Sequence, residues 1–188
     1  MRTLSFIHTL RRFWQDQKGL MSAEAALMMP LLLWAHMGIF TFFDGFRTQN
    51  VTLRAAYTIS DLLSRETDYV TPSYMNGLND MLGLLTQSKY ETMLRVTVVR
   101  YDLANDDHIL VWSEVDGGLS DVLPLTQTTL ESKLVPRIPA MGDADSVIIV
   151  ETWSAFMPIM NFGIDAFYME NMVVTRPRFA PQLLWEDA

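Results

Sequence analysis

The chain has no cysteine and only three histidines among its 188 residues. Without cysteine it cannot form disulfides, use a thiolate nucleophile, or hold zinc or an iron–sulfur cluster through thiolates. This absence does not fix the compartment, because an exported domain with an adequate core folds without disulfides. His8 and His36 lie in the first 45 residues, so His108 is the one histidine of the remainder.

Sequence motifs of catalysis are also missing. There is no Gly-x-Ser-x-Gly, no phosphate-binding glycine loop and no His-Glu-x-x-His. A membrane-tethered hydrolase with a Ser/His/Asp site would have to use His108, which we expect to be a strand-edge residue beside a polar loop. We therefore predict that the chain is not an enzyme and binds no cofactor.

Basic residues are scarce outside the amino terminus. The formal net charge is −8, but residues 1–19 carry four basic residues against one acidic residue, Asp16, for a net +3. The rest of the chain therefore sums to −11, which argues against nucleic-acid binding and against docking on an anionic lipid surface.

One long apolar run stands out against this acidic background. Residues 20–43 contain a single formal charge, Glu24. As a helix they would extend ~36 Å, enough to cross a hydrocarbon core of ~30 Å. The run is too long for the apolar region of a cleaved secretory signal and no small-x-small site closes it. We expect a basic leader-like segment (1–19), a transmembrane helix (20–43) and an exported domain (44–188).

The orientation follows from the charges in front of the run. Basic residues on one side of a span keep that side in the cytoplasm. We therefore expect a single-pass protein of a bacterial inner membrane, with its carboxy-terminal domain in the periplasm. The basic residues are Arg2, Arg11, Arg12 and Lys18.

Glu24 has two interpretations. A carboxylate at the centre of a membrane helix costs ~2.5–3.5 kcal/mol, but Glu24 lies only five residues into the run and could reach the interface. Alternatively, it pairs with a positive charge. Cleavage between Gly19 and Leu20 would create one, the α-amino group of Leu20, and attraction to a neighbouring subunit's Glu24 would set the register of packed helices.

The string FWQDQKGLMSAEAALMMPLLL resembles the amino-terminal region of TadE/TadG-like proteins of the tight-adherence (Flp) pilus system, which is type IVb pseudopilin-like. A second, shorter similarity lies at the carboxy terminus, where a strand ends in Val-x-Arg-Pro-Arg. The matching residues are Phe13, Asp16, Gly19, Ala23, Glu24, Ala25, Ala26, Pro30, Leu31, Leu32, Val174, Arg176, Pro177 and Arg178.

The resemblance implies a structural or assembly component of such a pilus or a related secretion apparatus. Gly19 and Leu20 would be the junction cut by a prepilin peptidase, Glu24 the register-setting carboxylate, and other pilus subunits the partners of the amino-terminal helix. Ala25 stands where an aromatic residue often follows the glutamate. An uncleaved, single-pass scaffold with a periplasmic binding domain is therefore the alternative.

Hydrophobic periodicity predicts the fold. Helical spacing continues past the span to about residue 66, with Val51, Ala55, Ile59, Leu62 and Leu63 on one face. A second helix is predicted over 73–87, with Met75, Leu78, Leu82 and Leu85 on its face, and a short helix over 126–135. Four strands are predicted over 91–101, 108–115, 146–154 and 167–175. This order indicates a pilin-like α+β fold with one antiparallel sheet against a long helix.

Two details of the strands concern function and burial. In the first strand Leu94, Val96 and Val98 alternate with Arg95 and Thr97, which predicts a half-buried strand.

The loop 102–107 after the first strand is rich in oxygen ligands of the kind that Ca²⁺ prefers. Its spacing is not that of an EF-hand, and we expect a solvated hairpin tip and no metal site.

Overall fold

One long helix opens the part of the chain that the computed structural model describes, residues 18–160 and 162–186. This helix, α1, runs over Lys18–Arg65 without interruption, with Pro30 inside it. It confirms the single helix predicted from about residue 20 to about 66. The chain forms two compact units that meet between Phe43 and Asp44 within α1. Most of the predicted leader-like segment lies outside the described residues.

The second half of α1 places an apolar face against the core. Ala55, Ile59 and Leu63 are buried, as their spacing of four residues predicts. Leu62 is 40% exposed, contrary to its predicted place on this face. It precedes Leu63 and so points about 100° away around the helix.

The second helix, α2, covers Pro72–Thr86. Thr71 caps its start by accepting a hydrogen bond from the Tyr74 amide at 3.3 Å, and a proline occupies the first turn, where its missing N–H is harmless. Gln87 ends it in the left-handed conformation. The predicted face is buried at Met75, Leu78 and Leu82 but not at Leu85, which is 39% exposed near the helix end.

Four strands form one antiparallel sheet in the order β2-β1-β3-β4. They are β1 (Thr92–Asp102), β2 (Asp107–Gly117), β3 (Ser146–Phe156) and β4 (Phe167–Thr175). The fold is therefore α+β, with a long helix against a four-stranded antiparallel sheet, as predicted. The strand positions agree with the periodicity to within a few residues.

The sheet is covered on both faces, which the periodicity did not indicate. One face packs on α1 and α2, while the other packs on the long connection between β2 and β3. In that connection Gln127–Thr129 forms one α-helical turn, followed by a π-helical stretch (Leu130–Leu134) and a 3₁₀ turn (Val135–Arg137). Thr97, predicted on a polar face, is consequently buried and bonds the Ser113 hydroxyl at 2.9 Å.

The carboxy-terminal tail returns to the start of α2. Trp185 pairs with Val70 in a parallel bridge, and the Val70 amide donates to the Leu184 carbonyl at 2.9 Å. Leu183 is only 1% exposed and belongs to the core beneath the helices. Its carbonyl accepts from the Trp112 indole nitrogen at 2.9 Å.

Candidate functional site

The three residues predicted to act in processing and assembly lie in the first turns of α1. Gly19 is exposed, and a methyl group added there would meet no heavy atom within 4 Å. Leu20 follows with helical backbone. Glu24 follows Leu20 by four residues, about one helical turn along α1. The structure thus places these residues close together through local helix geometry.

The carboxylate of Glu24 is exposed and forms no ion pair within the described part of the chain. The group is therefore open to a cation from outside the domain: a new α-amino group, a lipid headgroup or another subunit.

The apolar surface of α1 around this site is exposed. Leu27 is 78% exposed, Trp34 67% and Phe43 68%, and their neighbours are similar. Within the described residues, α1 is the one helix long and apolar enough to cross a membrane. A continuous apolar surface of this size requires lipid or other helices to cover it.

His108 does not assemble a hydrolytic site. It stands near the start of β2, with its ring centroid 5.0 Å from that of Tyr101 in a tilted arrangement. Its carbonyl accepts from the Gln127 amide at 2.7 Å. Among the described residues no serine hydroxyl and no carboxylate is hydrogen-bonded to its imidazole, so the geometry offers no nucleophile and base pair.

The carboxylates Asp102 and Asp106 at the acidic hairpin tip accept hydrogen bonds from neighbouring residues. Asp102 accepts from the Asn105 amide at 2.7 Å, and this bond is the main cause that lowers the Asp102 pKa. Asp106 has φ 52° and accepts from the Tyr101 hydroxyl, which raises the Tyr101 pKa. No group of three or more potential metal ligands is found in the part of the chain that the structure describes.

A buried ion pair escaped the sequence reasoning. Arg95 on β1 faces Glu151 on β3 across the sheet, with both guanidinium contacts to Oε2 at 2.6 and 2.7 Å. The Glu151 side chain is 2% exposed, and burial raises its pKa although the Arg95 charge opposes the shift. A signal was present in the sequence, because Glu151 is the one charged residue of the otherwise uncharged strand β3 and Arg95 is flanked by apolar residues in β1.

The carboxy-terminal arginines of the Val-x-Arg-Pro-Arg string tie the tail to the domain. Arg176 lies 3.2 Å from Asp145, and Arg178 lies 3.3 Å from Asp61 on α1. The Arg178 amide also donates to the Ser64 carbonyl at 2.8 Å. These contacts give the string a structural role that its sequence alone does not reveal.

No protein-family model, curated protein or solved structure matches the chain. The fold and the helix start are therefore the basis on which function is argued below.

Proposed function

We propose that the chain is a structural or assembly subunit, similar to the minor pseudopilins of a Flp/Tad-type pilus or a related secretion apparatus. In this role α1 crosses the inner membrane, the amino terminus stays in the cytoplasm and the domain from Asp44 onwards is exported. The subunit meets its partners through α1.

The observation that carries the proposal is the pairing of an exposed Glu24 with an exposed apolar helix surface. Lipid covers the apolar surface but leaves a carboxylate close to the hydrocarbon unsatisfied. A neighbouring helix that presents an amine satisfies both, and the match fixes the axial position of one helix against the next. The resemblance at Gly19 and Glu24 suggests that this amine is made by cleavage at the Gly19–Leu20 bond.

A second candidate is an uncleaved single-pass scaffold of the same apparatus. The observation that favours it is the continuity of α1 through Lys18, Gly19 and Leu20, which puts the Gly19–Leu20 bond inside a helix. A peptidase acts on an extended chain, so the first turn would have to open before cleavage.

Amino-terminal sequencing of the protein extracted from membranes distinguishes the two. The processed subunit begins at Leu20 when a prepilin peptidase is present. Gly19→Leu should abolish this product without disturbing the fold, because the space around Gly19 is open. Gly77→Leu is the matched control, since Gly77 is also helical and has open space beside it. A protein that still begins at Met1 when an active peptidase is present would contradict processing and would support the uncleaved scaffold.

Glu24→Gln tests assembly separately. The variant keeps the size and polarity of the side chain but removes its charge. If Glu24 sets the register, crosslinks between subunits through α1 and recovery in the assembled apparatus should be lost while membrane insertion persists. Unchanged assembly would contradict the register role.

A further inference from the structure

One end of the sheet lies beside Gly45. A methyl group added at Gly45 would lie 3.6 Å from the Phe156 ring, at the end of β3. Phe156 pairs in register with Phe167, the first residue of β4, and their rings make an edge contact at 5.6 Å. Gly45 follows the last residue of the apolar run, Phe43, by two positions. The loop that joins β3 to β4 therefore leaves the sheet beside Gly45.

The residues at this end are apolar and exposed. The stretch FMPIM over 156–160 contains no charged residue. Ile159 is 70% exposed, Met157 49% and Met160 40%. Phe167 and Tyr168 follow at 48% and 47%. Clustered side chains of this kind mark a surface that contacts another apolar phase.

Cations and polar groups border this apolar end. Arg47 and Lys89 are exposed and line a cavity of about 370 Å³ together with Phe156, Met157 and Ile159. Asp44 lies in the same wall. Long basic side chains next to an apolar surface can keep their stems in the apolar region and their charges among lipid phosphates.

The opposite end of the sheet has the opposite character. It lies ~30 Å away along β1, from the rise per residue of a strand. The β1–β2 hairpin tip there is acidic. The Asp143 carboxylate accepts from the Leu103 amide at 3.2 Å, and the backbone carbonyl of Asp145 accepts from the Tyr101 amide at 3.0 Å. Part of the chain's excess negative charge therefore lies at the end of the sheet remote from Gly45. The Gly45 end also carries acidic residues, Asp44, Glu91 and Asp165, so its apolar side chains with Arg47 and Lys89 have to supply any contact with lipid.

We propose that the Gly45 end of the domain rests on the bilayer that α1 crosses, with Met157, Ile159 and Met160 inserted among the headgroups and upper acyl chains. Arg47 and Lys89 lie at the level of the phosphates, and the hairpin tip faces away from the membrane. The inference rests on the proposed transmembrane role of α1. The occupant is lipid because this surface lies beside Gly45, which follows the last residue of the apolar run by two positions.

Site-specific fluorescence tests this placement. Because the chain has no cysteine, a thiol-reactive label attaches only at the introduced residue. Single-cysteine variants Ile159→Cys, Leu103→Cys and Ile39→Cys of the full chain receive an environment-sensitive fluorophore. Each is reconstituted in vesicles of phosphatidylethanolamine with a minority of phosphatidylglycerol, with or without a nitroxide on the upper acyl chain. All three positions are exposed apolar residues, so labelling should leave the fold intact. Tryptophan fluorescence checks that it does.

Emission at positions 159 and 39 should shift to the blue and lose most of its intensity to the nitroxide, while position 103 should keep its intensity. Quenching at position 39 but not at position 159 would contradict the contact between the Gly45 end and the bilayer, while remaining consistent with a transmembrane α1. No quenching at 39 would overturn the span itself, and the contact with it. Equal quenching at all three positions would contradict a specific orientation. If position 159 is shielded from aqueous iodide but is not quenched by the lipid nitroxide, the surface is covered by protein, which would contradict lipid as its occupant.

Discussion

At the scale of single residues, the Arg95–Glu151 pair is the most costly feature of the sheet. Both ions leave water, the side chains being 13% and 2% exposed, and Arg95 also lies 5.1 Å from the Trp153 ring. Each charge is tolerated because the other is present, and Arg95 has a further acceptor in the Leu123 carbonyl at 3.0 Å. Burial of such a pair adds little net stability, but removal of one member leaves the other unpaired.

Glu151→Ala should therefore lower the free energy of unfolding by about 3–5 kcal/mol. The double variant Arg95→Met with Glu151→Leu keeps the volume and removes both charges, so its loss should be much smaller. Chemical unfolding of the full chain in detergent, followed by tryptophan fluorescence, measures both. A double variant as unstable as Glu151→Ala would show that the charges themselves stabilise the sheet.

The same carboxyl predicts a pH dependence. Burial raises the pKa of Glu151 above 4.5, its ordinary value, so the folded state binds this proton more tightly than the unfolded state. The free energy of unfolding should then decrease as pH rises from 4.5 through the folded pKa, and this loss should be complete above it. Glu151→Gln should lack this slope. The difference between the two proteins, followed from about pH 4 to about pH 8, isolates the contribution of this group.

Gly117 shows a different constraint on a single residue. It has φ +133°, and an added methyl group would collide with the Thr92 carbonyl and approach the Met93 Cα at 2.7 Å. Gly117→Ala should destabilise the fold by at least about 1–3 kcal/mol from its backbone alone. The control Gly77→Ala, in α2 with open space, should stabilise by about 0.5–1 kcal/mol. Equal effects in thermal unfolding would contradict this account.

At the scale of elements, the tail after β4 closes the core. Leu183→Ala should cost about 2–5 kcal/mol, because the residue is 1% exposed and packs beneath the helices. Leu184→Ala removes the same atoms from a side chain that is 45% exposed and should change stability by less than about 0.5 kcal/mol. Denaturant midpoints compare the two. Similar losses would indicate that the tail contributes only through its backbone bridge.

The helices and strands could be predicted from the sequence where a segment has one sustained hydrophobic period. The alternation in β1 and the helical spacing in α1 and α2 were enough for the order of elements and the antiparallel sheet. The second cover of the sheet was not predictable, because residues 118–145 combine α, π and 3₁₀ turns of a few residues each and have no sustained period. Thr97 was consequently placed in solvent by its polarity, whereas its hydroxyl is satisfied by Ser113 inside the protein.

At the scale of the whole molecule, the long apolar helix leads to a prediction of membrane insertion. Leu32→Arg combined with Leu33→Arg should weaken insertion by about 5–7 kcal/mol, at ~2.5–3.5 kcal/mol for each central charge. The protein should then leave the membrane pellet on alkaline carbonate extraction, while the unaltered chain stays. Leu103→Arg with Leu123→Arg is the matched control, since both residues are exposed apolar side chains outside α1. Release of the control to the same extent would contradict a specific role of the span.

The candidate site was only partly predictable. The apolar period predicts a helix from about residue 20, which holds Leu20 and Glu24, whereas α1 also includes Gly19, expected in the leader-like segment. Whether the bond between Gly19 and Leu20 is cut depends on an encounter with a peptidase, and no intramolecular contact records it. The Gly45 end was missed for another reason: its apolar residues come from a loop and a strand start far apart in sequence from α1, and only the tertiary fold brings them together.

The position of Leu183 has a consequence for the order in which the protein matures. Synthesis proceeds from the amino terminus, so β1 to β4 leave the ribosome before residues 183–185 do. Until then the pocket beneath α1 and α2 is open, and Val70 has no partner for its amide. The core beneath α1 and α2 should therefore close only after residues 183–185 have emerged, and the domain should become resistant to proteases only then. A variant truncated before Leu183 should be digested by a protease faster than the full chain.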